Sequence, residues 1–139
     1  MIILKLFNAL HVIHLLFWTE SHGHLATIPM NIAAVNGTKT HFQCGTDRGN
    51  RDMRWQFLKY GSSTSEVLYN GFSLRAMFSQ RFSVDKMVGG RCDLIIDSTQ
   101  IQDAGAYMCE EPVSFRTSSA DLTVLGMLLV AIAFYIVLM

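Results

Sequence analysis

The chain has 139 residues, half of them hydrophobic, with 11 basic side chains against 11 acidic ones and a formal net charge of zero. That length holds one domain of ordinary size, and neutrality excludes both the basic footprint of a nucleic-acid binder and the acidic excess of a disordered tail. Only 16% of the residues are charged, below the roughly 25% usual for a soluble domain, so part of the apolar content serves something other than a core.

The first surplus is at the N-terminus. Residues 1–20 read MIILKLFNALHVIHLLFWTE, with one early positive charge at Lys5 and an apolar stretch from Leu6 to Trp18. Ser21 and Gly23 then supply small residues for a cut after Gly23, which makes residues 1–23 a secretory signal peptide. Its removal takes away Lys5 and Glu20 and leaves the charge balanced. Residues 24–125 are then expected to fold in an oxidising compartment. Asn36-Gly37-Thr38, the one N-x-S/T triplet in the chain, is a glycosylation acceptor in such a compartment.

From Thr38 onward, hydrophobicity alternates with period two and turn residues recur every ten or so positions, which predicts short antiparallel strands and no long helix. Thr38–Cys44 places Thr40, Phe42 and Cys44 on one face. Gly45–Asn50 is expected as a loop. Met53–Lys59 points Met53, Trp55 and Phe57 one way and Arg54, Gln56 and Leu58 the other. Glu66–Tyr69 ends in the turn signal Asn70-Gly71. Arg81–Asp85, Cys92–Ile96, Ala106–Glu110 and Ala120–Val124 complete the set, with Gly61–Ser65 and Gly89-Gly90 as loops. Many short strands in about 100 residues predict an all-β sandwich or barrel.

Cys44 and Cys109 stand 65 residues apart, each at the inward parity of its strand, and Trp55 follows the first by eleven. Before the second runs Asp103-Ala-Gly105-Ala-Tyr107-Met-Cys109. From about Ile28 to Leu125 the chain resembles the immunoglobulin superfamily: a B-strand cysteine, a C-strand tryptophan, and the D-x-G-x-Y-x-C corner of strand F. Leu94 and Ile96 resemble the family's E strand, and Arg81 the arginine that in V-type domains pairs with the corner aspartate, here Asp103. The spacing leaves room for C′ and C″ strands. The resemblance implies a two-sheet antiparallel V-type sandwich with a Cys44–Cys109 disulfide, which for a loop this long stabilises by roughly 4 kcal/mol in the chain-entropy account. Trp55 would cover the bridge, Gly105 would permit a tight turn, and the Tyr107 hydroxyl would return to the backbone upstream. Two features depart from antibody domains: Phe115–Val124 carries no Gly-x-Gly, and Leu58 stands where they place a glutamine. A single innate-type or adhesive domain fits better than a paired antigen receptor.

If Trp55 and Tyr107 face inward, Gln56, Leu58, Met108 and Glu110 face outward on the G-F-C-C′ sheet, the face through which V-type domains commonly bind partners, copies of themselves included. That face is the candidate binding surface. Loops 45–52 and 111–118 would cap one end, with mixed charges and an acidic edge at Glu110-Glu111. Cys92, at inward parity, is either a buried free thiol or an intermolecular bridge. Of five histidines, His24 and His41 lie clear of the leader and form no Cys–His or Ser–His–Asp arrangement, so no enzyme, metal or cofactor is expected.

The second apolar surplus closes the chain. Fifteen uncharged residues run from Leu125 to Met139, fewer than the ~20 of a full span. Residues 126–139 are expected to attach the chain to a membrane, as a truncated or short transmembrane segment or as a glycolipid-anchor signal processed near Ser118-Ser119-Ala120. The expected function is a cell-surface recognition or adhesion module binding a protein, either another immunoglobulin-type domain or a second copy. The alternative is a secreted or shed decoy of innate-immune type without signalling capacity.

Overall fold

Alternating burial along each strand sets the architecture. In the segment Gly105–Glu111, Gly105, Tyr107, Cys109 and Glu111 are buried while Ala106, Met108 and Glu110 stay half-exposed, the period-two pattern of a strand lying on a core. The computed structural model describes residues 25–47, 52–87 and 89–126; the expected leader and the hydrophobic tail lie outside them.

The strands are β1 (Leu25–Thr27), β2 (Ile32–Val35), β3 (Thr40–Phe42), β4 (Gly45–Thr46), β5 (Arg54–Lys59), β6 (Glu66–Tyr69), β7 (Phe82–Met87), β8 (Arg91–Ile96), β9 (Gly105–Glu111) and β10 (Arg116–Leu125), with a 3-10 turn at Ile101–Asp103 before β9. In one sheet β3 and β4 lie end to end along one side of β8, β7 lies along the other, and β1 extends the sheet beyond β4. The second sheet runs β2-β10-β9-β5-β6, with β2 parallel to β10 and the remaining pairs antiparallel. The result is an all-β sandwich.

Inward side chains from both sheets make one core. Phe42, Met53, Trp55, Leu68, Leu94, Ile96, Tyr107 and Leu122 are fully buried in it. Tyr107 stacks between Phe42 and Phe57, with centroids 4.8 Å away on each side. The Cys44–Cys109 disulfide, Cα atoms 6.5 Å apart, ties the sheets together beside Trp55. Arg81 donates to both Asp103 carboxylate oxygens at 2.6 and 2.9 Å, and the Tyr107 hydroxyl donates to the Asp103 carbonyl at 2.7 Å. Hydrogen bonding to Asp103 raises the Arg81 pKa above its ordinary value, and burial pushes the Tyr107 phenol upward.

Several sequence expectations require correction. Gly45-Thr46 is not loop but β4, paired with both β1 and β8; Gly45 lets the chain lie against Arg91, whose Cγ would stand 3.1 Å from an added Cβ. β1 and β2, ahead of the first expected strand, are additional. Among the described residues the C″ strand is absent. A lone bridge from Tyr69 to Leu74 stands there, and Lys86 closes the gap, donating to the Gly71 carbonyl at 2.7 Å with its ammonium 5.3 Å from the Tyr69 ring centroid. Gly105 makes a close approach rather than a tight turn. With φ of +155° it opens β9 against β5, and an added Cβ would run into the Leu58 carbonyl and sit 2.8 Å from the Phe57 ring. Ser118, Ser119 and Ala120 are mid-strand in β10, paired with β9, so an anchor-processing cut there would sever the sheet.

Candidate binding surface

β10, β9, β5 and β6 are the G, F, C and C′ strands of the expected face. Register places its outward residues in cross-strand rows. Ser119, Met108, Gln56 and Val67 form one row across all four strands. Thr117, Glu110 and Arg54 form the row on one side, and Asp121, Ala106 and Leu58 the row on the other. Gln56, Leu58, Met108 and Glu110 therefore share one face, each half-exposed. Gln56 is held at both ends of its amide: Nε2 donates to Glu110 Oε2 at 3.2 Å, and Oε1 accepts from Ser65 Oγ at 3.1 Å. A polar strip thus crosses the face with Leu58 and Met108 beside it.

Val67 belongs to this surface although its sequence pattern does not single it out. A register shift between Trp55 and Gln56 buries both Leu68 and Tyr69, which leaves Val67 outward and exposed. Two consecutive buried residues break the alternation from which parity is read.

The end of the sandwich beyond this face differs from its sequence reading. The loop from β9 to β10 is only residues 112–115, because Arg116 already pairs with Glu111. Glu111 is not on an acidic edge; it is 1% exposed, and its Oε2 accepts from the backbone N–H of Ser114 at 2.8 Å and from the Ser114 hydroxyl. Phe115 closes the loop at φ +53°, a left-handed conformation uncommon for a bulky residue, with 81% of its surface exposed. Phe72 and Val113 are exposed at the same end. In the sequence the charges of this end draw attention first, and its apolar residues, scattered over two loops, form no pattern.

Remaining candidates lie away from the face. Cys92 is a buried free thiol whose pKa is pushed up to about 11, chiefly by burial. Its carbonyl accepts from the Trp55 indole at 2.8 Å. Asp93, at outward parity on β8, is fully buried: it accepts from the Cys44 N–H at 3.1 Å and from Arg91 at 2.5 Å, and pairs with His41 at 3.0 Å. Asn36 is exposed in the turn between β2 and β3.

The model for the Immunoglobulin V-set domain family matches residues 27–125. A search of the curated proteins returns no match. Domains of this family are typically non-catalytic recognition modules, usually extracellular or on the cell surface, and generally bind proteins. With the sandwich, the inter-sheet disulfide and the matched span in agreement, the chain belongs to the immunoglobulin V-set family.

Proposed function

We propose that the protein is a cell-surface recognition module that binds a protein partner through the β10-β9-β5-β6 face. The carrying observation is the strip of half-exposed to exposed apolar side chains, Leu58, Met108 and Val67, crossed by the fixed Ser65–Gln56–Glu110 chain of hydrogen bonds. Methionine adapts to a partner's shape, and polar groups already held in place bind without further ordering. In this reading residues 1–23 direct the chain into the secretory pathway and residues 126–139 attach it to a membrane. The partner is another immunoglobulin-type domain or a second copy.

Sedimentation of the chain across a concentration series, together with binding to an array of immunoglobulin-type ectodomains, tests the face. Leu58→Asp and Met108→Asp should each weaken the detected interaction at least tenfold while leaving the melting temperature in place. An interaction that survives both substitutions refutes the face.

A further inference from the structure

The described residues contain three asparagines, and two have committed side chains. Asn31 Oδ1 accepts from the Asp121 N–H at 2.9 Å, and Asn70 Oδ1 accepts from the N–H groups of Phe72 and Ser73 at 3.0 and 2.9 Å. No described residue takes the carboxamide of Asn36, which alone of the three begins an N-x-S/T triplet. Its turn is held by other groups. The Asn36 N–H donates to the Leu125 carbonyl at 3.0 Å, the Gly37 N–H to the Thr99 carbonyl at 2.7 Å, and Thr38 donates to the Val35 carbonyl through N–H and hydroxyl at 3.0 and 2.7 Å. Gly37 takes φ +88° with no atom within 4 Å of an added Cβ, so the turn projects into open space. These bonds fix the turn and leave the Asn36 amide nitrogen without a partner among the described residues.

We infer that Asn36 carries an N-linked oligosaccharide that shields one edge and one end of the sandwich. In the transfer, a new bond joins Asn36 Nδ2 to the anomeric carbon of a lipid-diphosphate-linked oligosaccharide. The bond from that carbon to the diphosphate oxygen breaks, Nδ2 gives up one proton, and the lipid diphosphate leaves. The position gives the sugar a task. β2 is an edge strand of its sheet, short and otherwise open to pairing with another chain. Asn36 ends that strand beside Leu125, the last residue of β10, at the opposite end of the molecule from the loop 112–115. A glycan there covers the β2 edge and leaves β5, β9 and the Phe115 end clear. The inference rests on entry into the secretory pathway, which the experiment tests separately.

The full chain is translated with microsomes, treated with protease to score entry, and then digested with peptide-N-glycosidase. The expected result is a protease-protected chain with one glycosidase-sensitive mobility step. That step should be absent from Asn36→Gln and Thr38→Ala and retained in Thr38→Ser. A protected chain without the step, or a step that persists in Asn36→Gln, overturns the site; an unprotected chain overturns entry and the site with it. Amide exchange in the full chain purified from cells that glycosylate it then tests the shielding: exchange over Ile32–Val35 should be slower in the glycosylated protein than in Asn36→Gln, with Trp55–Leu58 unchanged. Equal exchange over Ile32–Val35 overturns the shielding.

Discussion

Replacing Asp93 with alanine should be among the most damaging single changes outside the apolar core. The reason is a displaced hydrogen bond. The Trp55 indole takes the Cys92 carbonyl of β8, and the Cys44 N–H, between β3 and β4, donates instead to the Asp93 carboxylate at 3.1 Å. Alanine leaves that buried N–H without an acceptor, at about 1–3 kcal/mol. It also removes the charge-assisted contact with Arg91 and the pair with His41, whose side chains are 33% and 42% exposed. Solvent screening limits that second loss to about 0.5–1 kcal/mol. The total is about 1.5–4 kcal/mol, and for a domain of this size each kcal/mol moves the melting temperature by about 4–8 °C. Asparagine keeps an acceptor for Cys44 and relieves the like charge of Asp85 across the strand, so it should cost no more than about 1.5 kcal/mol. Thermal and urea unfolding monitored by Trp fluorescence measure both variants. Equal losses for alanine and asparagine, or an alanine loss below about 0.5 kcal/mol, would refute the acceptor role.

Four further outcomes are expected. Phe115→Gly should hold or raise stability by up to about 1 kcal/mol, because glycine relieves the left-handed strain and an exposed ring loses little packing; a loss above about 0.5 kcal/mol in urea unfolding contradicts this. Gly105→Ala should cost about 2–5 kcal/mol from strain and the Leu58–Phe57 clash combined, and a thermal scan within about 3 °C of wild type would exclude it. Native Cys92 should resist alkylation at pH 8 and react once unfolded, as intact mass after iodoacetamide treatment will show. Because its folded pKa lies near 11 against 9.0 for the free thiol, about 2–3 kcal/mol of stability is present below pH 9 and lost as pH rises toward 11; stability should fall less steeply over that window in Cys92→Ala, and parallel pH curves for the two proteins would count against it.

Much of the sandwich is legible in the sequence because its strongest signals are local. Phe42 and Trp55 stand between polar neighbours, Phe57, Leu94, Ile96 and Tyr107 keep the same every-second-residue spacing within their strands, and parity turns all six inward. Long-range pairing is harder to read. β2 is four residues of small and branched side chains whose parallel partner in β10 lies some ninety residues on, and nothing in Ile-Ala-Ala-Val says which sheet it joins. Asp93 shows a different limit. Its outward parity suggests a solvated carboxylate, and only the indole of Trp55, 37 residues away from the carbonyl it takes, creates the need for a buried acceptor. Glu111 is similar: a charge beside another charge reads as a solvated edge until the short loop folds back and Ser114 donates to it.

The groups that secure the fold and the groups on the proposed binding face are different sets, and that separation bears on function. The disulfide, the Arg81–Asp103–Tyr107 corner and the Asp93 contacts lie between the sheets, at one end of the sandwich, or on the opposite sheet. Gln56, Met108 and Glu110 lie on strands whose alternate residues, Trp55, Tyr107 and Cys109, are fully buried, so the backbone beneath the face is fixed from the inside. A side chain on such a strand can change without loss of an inward contact, and surface changes of this kind move stability by only about 0.5 kcal/mol. Loss of binding by Leu58→Asp or Met108→Asp at an unchanged melting temperature would therefore report on recognition itself, whereas the same loss in an Asp93 or Gly105 variant would report on folding.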